Sequence, residues 1–146
     1  MKSRLVWEKD GERTFVVVLD SGEEAAAALK GFADEAGLNG ASLTAIGGFE
    51  RAVVGWFDFA RKEYRPNAVD EQCEVLSVMG DVAEGDDGAA SVHMHAVLGL
   101  SDGTTRGGHL LSGVVHPTLE VTIVESPAHL RRKKRPGLGC ALIDLS

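Results

Sequence analysis

The feature that most constrains the fold is a single helical segment in a chain that otherwise has strand patterning. Apolar residues recur at helical spacing over residues 22–36. Ser21 and Glu24 form a capping box at its start, and Gly37 is a good C-terminal stop. The segments around this helix are short, β-branched and separated by glycine-rich turns, which favours antiparallel strands. The sequence therefore predicts an α+β, α/β sandwich-like fold, with a central, mostly antiparallel sheet and one principal flanking helix.

The expected strands are apolar or alternating runs bounded by turn residues. They cover residues 13–19, 42–49, 52–59, 73–82, 91–98, 119–125 and 139–145. The chain has 146 residues and no internal repeat. This length is typical of one domain, so we expect residues 1–146 to form a single domain.

The charge distribution bears on nucleic-acid binding. The net charge is −7, but one short run is entirely basic: Arg131, Arg132, Lys133, Lys134 and Arg135. Without that run, ten basic residues face 22 acidic ones, a net charge of −12. Such a body repels DNA, whose binding depends on phosphate neutralisation. The run is a candidate nucleic-acid contact, and the alternative interpretation is a solvated strand end or loop.

The sequence also indicates where the protein works. No stretch is long and apolar enough to cross a membrane, so no membrane partner is expected. The basic N-terminus is not followed by the apolar segment of a signal peptide. Cys73 and Cys140 are isolated in apolar runs, as reduced buried thiols usually are. We therefore expect a cytoplasmic protein.

Three histidines carry the clearest chemical signal. His93 and His95 lie in the strand-like run 91–98, and residues two apart on a strand face the same side. Their imidazoles would therefore stand next to each other. His109 follows an Asp102-Gly103 hairpin signal and is the candidate for a third nitrogen ligand.

The hairpin register decides whether the third imidazole can join the pair. If Asp102 and Gly103 alone form the loop, His109 opposes Ala96 and faces the wrong side of the sheet. A three-histidine site therefore requires a bulge or a sharp turn at Gly107 and Gly108, where a glycine pair interrupts the strand.

Three neutral imidazoles suit zinc or another divalent transition metal, and they leave a coordination position open for water or a small ligand. If the protein is an enzyme, metal-assisted hydrolysis of a small molecule is the expected chemistry. The alternative is that His93 and His95 lie on a solvated or hydrogen-bonded sheet face. Glu120 and Glu74 are candidates for a carboxylate that orients an imidazole, or are simply exposed strand residues.

Several motifs together resemble the plants-and-prokaryotes-conserved (PPC) domain over nearly the whole chain. They are Ser21-Gly22-Glu23, Ala45-Ile46-Gly47-Gly48-Phe49, Glu74-Val75-Leu76-Ser77-Val78-Met79-Gly80, His93-Met94-His95-Ala96-Val97-Leu98, Gly107-Gly108-His109-Leu110-Leu111-Ser112-Gly113 and Leu119-Glu120-Val121. The combination of His-x-His with Gly-Gly-His-Leu resembles the stand-alone prokaryotic branch.

The resemblance implies a homotrimer with a metal site at His93, His95 and His109. Plant relatives join this domain to an AT-hook and act as DNA-binding regulators, but this sequence has no Arg-Gly-Arg-Pro core. Three functions therefore remain open. They are a trimeric metal-binding protein with a small ligand at the metal, a DNA-associated regulator that uses the basic run, and a pure oligomerisation or partner-binding module.

Overall fold

The expected α+β architecture is confirmed by a computed structural model, which describes residues 1–146. One helix and nine strands account for most of the chain. Their bounds are β1 (Lys2–Lys9), β2 (Glu12–Asp20), α1 (Ala25–Ala36), β3 (Gly40–Asp58), β4 (Glu63–Val69), β5 (Cys73–Glu84), β6 (Ala90–Gly99), β7 (Thr105–Glu125), β8 (Arg131–Arg135) and β9 (Cys140–Asp144). No helix has the length and apolar character needed to span a membrane.

The strands form one sheet with the order β1-β2-β7-β3-β5-β8-β9, and β4 pairs with β3. All pairs are antiparallel except the single bridge between β5 and β8. Strand β6 pairs with β5 on one side and with β7 on the other. Because β3 also pairs with both β5 and β7, these four strands form a closed circuit of hydrogen bonding. The histidine-bearing strand β6 therefore has a partner on each side.

The sheet has a core face and an outer face, set by the alternation of side chains along each strand. The core face holds the buried apolar residues and packs against α1, where Phe15 meets Phe32 edge-on at 5.4 Å. The outer face carries the side chains of the alternate strand positions, which point away from the core. Thr44, Met79 and His95 are consecutive register partners on it. His95 therefore faces away from the apolar core.

The helix begins three residues later than the sequence predicts. Ser21 is not its N-cap. Glu24 takes that role, and its Oε2 accepts a hydrogen bond from the Ala27 amide at 2.8 Å. The segment before it is held to β7 instead, because Gly22 donates to the Val115 carbonyl and Ser21 donates to that of Pro117. The predicted stop at Gly37 is confirmed, with a left-handed φ of 65°.

Other strand predictions need correction. Residues 42–49 and 52–59 were expected as two strands, but residues 42–58 lie in the single strand β3, whose pairing with β7 shifts register three times, and Phe59 lies in the turn after it. Strands β1 and β4 were not predicted. All eight residues of β1 are exposed, and β4 contains Pro66, so neither has a clear buried alternation.

Candidate metal centre

The three histidines lie on the paired strands β6 and β7, and a three-residue hairpin loop brings them together. Leu100 and Thr104 close the loop, so Ser101, Asp102 and Gly103 form it rather than two residues. Gly103 is left-handed, with φ 81°, as this loop type requires. The extra loop residue places His109 directly opposite His95. Both rings therefore lie on the outer face.

The predicted bulge or turn at Gly107 and Gly108 is wrong. These glycines pair regularly with Val97 and Ala96. Gly108 is needed for packing, because a Cβ there would lie 2.6 Å from the Gly55 carbonyl oxygen. The register that places His109 opposite His95 is therefore set by the three-residue loop and not by a bulge at these glycines.

The three imidazoles form a compact cluster. One ring nitrogen from each of His93, His95 and His109 lies within 4.8 Å of the other two. The ring centroids are 5.0 to 5.4 Å apart. His95 is exposed, whereas His93 and His109 are partly buried. Nitrogens this close converge on a volume that one metal ion could occupy.

The electrostatics of the cluster favour the neutral form of His95 and His109. Burial, followed by the positive potential of His93 and His95, lowers the pKa of His109 to about 4. Burial and His93 also lower the pKa of His95. The Nδ1 atom of His109 is buried and has no hydrogen-bond partner. Neutral imidazole is the form that binds a transition metal, and an ion is one partner that would satisfy such a nitrogen.

A carboxylate does contact the cluster, and it belongs to Asp81. Its Oδ2 lies 3.5 Å from His93 Nδ1, and its Oδ1 accepts a hydrogen bond from Arg132 Nη2. Burial opposes ionisation of Asp81, but the interactions with His93 and Arg132 outweigh it and hold its pKa below the usual value. A carboxylate on one ring nitrogen leaves the other free for a metal and orients the ring. The only sequence signal for this role is an acidic residue in an apolar strand.

The carboxylates predicted for this role lie elsewhere. Glu74 and Glu120 line a separate surface pocket with Ile46 and Leu76. Neither is hydrogen-bonded to a histidine. Glu74 pairs with Gly48 and Gly99 at the far end of β5, and Glu120 pairs with Val18 and Ile46.

The basic run forms strand β8, which pairs with β9 as a hairpin. Four of its five side chains form ion pairs with acids of the same chain. Arg131 contacts Glu84, Arg132 contacts Asp81, and both Lys133 and Arg135 contact Asp144. Only Lys134 has no ion pair. Arg132 is 6% exposed and lies beside the histidines rather than on the surface.

A cavity of about 690 Å³ opens directly over the histidine cluster. One wall comes from the β3–β4 hairpin and the other from the β8–β9 hairpin. The hairpins meet at their tips, since a Cβ on Gly139 would lie 2.6 Å from that of Lys62. Its lining side chains include Phe57, Phe59, Tyr64, Arg132 and Leu142.

Comparison with known proteins places these observations in context. The family model of the Plants and Prokaryotes Conserved (PCC) domain matches residues 7–127. A solved plant- and prokaryote-conserved (PPC) protein from Pyrococcus horikoshii is 31% identical, with a TM-score of 0.85 over 90% of this chain and 91% of that chain. No curated protein matches the sequence.

Two further solved structures have functional descriptions. A metal-containing protein from Archaeoglobus fulgidus is 33% identical, with a TM-score of 0.82 over 97% of this chain and 98% of that chain. A "Putative DNA-binding protein" from Ralstonia eutropha is 27% identical, with a TM-score of 0.83 over 90% of this chain and 91% of that chain.

Proposed function

The chain belongs to the Plants and Prokaryotes Conserved domain family, as its motifs predict, and on that premise we propose that it is a metal-binding protein. Its site would hold one divalent transition metal, zinc foremost, through His93, His95 and His109. The observation that carries the proposal is the convergence of three ring nitrogens within 4.8 Å on two hydrogen-bonded strands.

Three further observations support this function. The ligand rings stand on sheet positions whose register is fixed on both sides, so the donors are held in place before an ion arrives. Asp81 provides the carboxylate partner that metal-binding histidines commonly have. The metal-containing relative from Archaeoglobus fulgidus is similar over nearly the full length of both chains.

An ion held by three imidazoles would leave a position for water or a small ligand, as in metal-assisted hydrolysis. The residues that line the cavity around that position would contact a ligand bound there. Asp81 lies against the His93 ring, and the β8–β9 hairpin forms one wall of the cavity. We therefore place a small molecule, rather than a macromolecule, at this site.

We also propose that the chain assembles as a homotrimer. Apolar side chains on the outer face are 37 to 65% exposed: Val16, Ile46, Leu76, Met79 and Val97. Exposed apolar side chains that gather on one face of a sheet are typical of a protein–protein interface. Met79 is the register partner of His95, so this interface would border the metal site.

The metal proposal is tested by elemental analysis and zinc titration of protein purified without chelator. We expect one equivalent of zinc per chain. His95→Ala should weaken zinc binding at least about a hundredfold, because two imidazoles hold the ion poorly. His116→Ala is the matched control, since its ring lies near Ser21 and outside the cluster.

Wild-type protein that stays metal-free when zinc is added would overturn the metal proposal. A trimer without metal would then favour the oligomerisation or partner-binding module. Equal zinc affinity in the His95→Ala and wild-type proteins would show that the ion binds elsewhere.

DNA association is the second candidate, and the Ralstonia eutropha relative and the basic run favour it. The ion pairs of β8 weigh against it, because a phosphate would have to displace Glu84 or Asp144. A gel shift at low salt tests this role. If no shift is seen, DNA association is excluded. If a shift is seen and is lost on neutralising residues 131–135, DNA binding through the basic run is established.

A further inference from the structure

We propose that the cavity over the histidine cluster binds a small aromatic carboxylate. The ring would lie along the aromatic wall, and the carboxylate would sit at the inner end near Arg132. This inference deepens the proposed metal-binding function and rests on it for the charge of the site.

The aromatic wall runs from the cluster to the protein surface in steps of similar length. Tyr64 stacks on His109 with centroids 4.6 Å apart, and Phe57 lies edge-on to Tyr64 at 5.0 Å. Phe59 then lies edge-on to Phe57 at 5.0 Å, and it is 68% exposed at the rim. A flat apolar ligand would cover these ring surfaces, since aromatic pairs favour stacked and edge-on contacts.

Gly55 makes this wall possible. It is the register partner of His109, and a Cβ there would lie 2.9 Å from Tyr64 Cδ1. The missing side chain lets the Tyr64 ring lie against the imidazole. The wall is therefore built into the packing of β3, β4 and β7.

Arg132 provides an anion-binding group at the inner end. Its side chain is 6% exposed, and its one hydrogen bond goes to Asp81. The buried Nε–H has no acceptor. A buried guanidinium with unused donors suits a carboxylate, which can accept two parallel hydrogen bonds.

The charge balance of the cavity also favours an anion. Arg132 and Lys62 are offset by Asp81 and Glu63, so the protein groups sum to zero. A bound divalent ion would make the site positive. An anionic ligand with an apolar ring therefore matches both ends of the cavity.

Calorimetric titration of the zinc-loaded protein tests this proposal with benzoate, acetate and neutral benzamide as probes. We expect benzoate to bind at least about tenfold more tightly than either of the others. Phe59→Ala should weaken benzoate about fivefold and leave acetate unchanged. Arg132→Gln should weaken both carboxylates about tenfold or more. Phe59 is an exposed residue, so its variant tests the wall even if Arg132→Gln fails to fold.

Zinc binding is measured first, so the two proposals can fail separately. If zinc binds but benzoate is no tighter than acetate or benzamide, the carboxylate proposal is overturned and the metal-binding function stands. If zinc does not bind, the metal-binding function is lost. If benzoate still binds to the metal-free protein and Phe59→Ala still weakens it, carboxylate binding in the cavity is supported without a metal. If benzoate does not bind, the carboxylate proposal is overturned as well.

Discussion

At the scale of single residues, the site depends strongly on Asp81, which contacts both His93 and Arg132. Asp81→Asn should weaken zinc binding about 10- to 100-fold, because the His93 ring loses its charged partner. It should also lower the free energy of unfolding by about 2–4 kcal/mol, because Arg132 is left buried without a counter-charge. Competition with a chelator and denaturant unfolding measure these two effects.

Glu74→Gln is the matched control, since it makes the same chemical change at the other end of β5. Zinc affinity should not change, because Glu74 lies in a separate pocket. If the two variants weaken zinc binding equally, Asp81 has no special role at the site.

The titration of His109 predicts how the stability of the metal-free protein depends on pH. Its pKa is about 4 when folded, against an ordinary value of 6.5. Between these values the unfolded chain binds a proton that the folded chain does not. The free energy of unfolding is therefore highest above about pH 6.5 and falls as the pH drops towards 4. Denaturant unfolding between pH 4 and pH 7 should show this slope. In His109→Gln the slope should be shallower, and an unchanged slope would contradict the assignment.

At the scale of elements, the pairing of β5 with β6 positions the proposed ligands His93 and His95. Gly80 lets the two strands approach closely enough to pair. A Cβ on Gly80 would lie 2.2 Å from the His93 carbonyl oxygen. Gly80→Ala should therefore push the strands apart, cost about 1–3 kcal/mol of stability and weaken zinc binding. Thermal unfolding and zinc titration check both effects.

Gly31→Ala should stabilise the protein, in contrast to Gly80→Ala. Gly31 lies inside α1, and a Cβ there meets no atom within 4 Å. The variant should gain about 0.5–1 kcal/mol, because alanine favours the helix and restricts the unfolded chain. If Gly80→Ala is equally harmless, close packing of β5 on β6 is not what positions His93.

The sequence predicts elements well where the signal is local, either a glycine that ends a helix or a regular period of burial. The end of α1 at Gly37 and the alternation of β6 are examples. The sequence does not predict features that are set by tertiary contacts. The helix start depends on two hydrogen bonds with Val115 of β7, far along the chain: Gly22 donates to its carbonyl, and its amide donates to the Glu23 carbonyl. The Asp102-Gly103 signal fits loops of two or three residues, and this one-residue difference decides which face His109 occupies.

At the scale of the whole molecule, the outer face should bury its apolar side chains in a homotrimer. Light scattering should give about three times the chain mass of 15.4 kDa. Ile46→Glu should dissociate the trimer, because it places a charge on a side chain that is 61% exposed on that face. Leu145→Glu, at a residue 84% exposed at the C-terminal end, should leave the trimer intact. A monomeric wild-type protein would contradict the assembly.

The site as a whole combines predicted and unpredicted parts. The three histidines could be identified from the sequence because strand spacing is local. The Tyr64 wall and the Arg132 anion site could not, because they come from the β3–β4 and β8–β9 hairpins, which meet only in three dimensions. Asp81 was missed for the same reason, since its relation to His93 depends on the register of β5 with β6.

The most direct test of the central claim is X-ray absorption at the zinc edge of the zinc-loaded protein. We expect nitrogen or oxygen neighbours alone at about 2.0–2.1 Å, with the multiple scattering of three imidazoles. Cys140 lies in the same cavity, so sulfur is the informative alternative. A zinc–sulfur distance of about 2.3 Å, or a shell with fewer than three imidazoles, would contradict a centre formed by His93, His95 and His109.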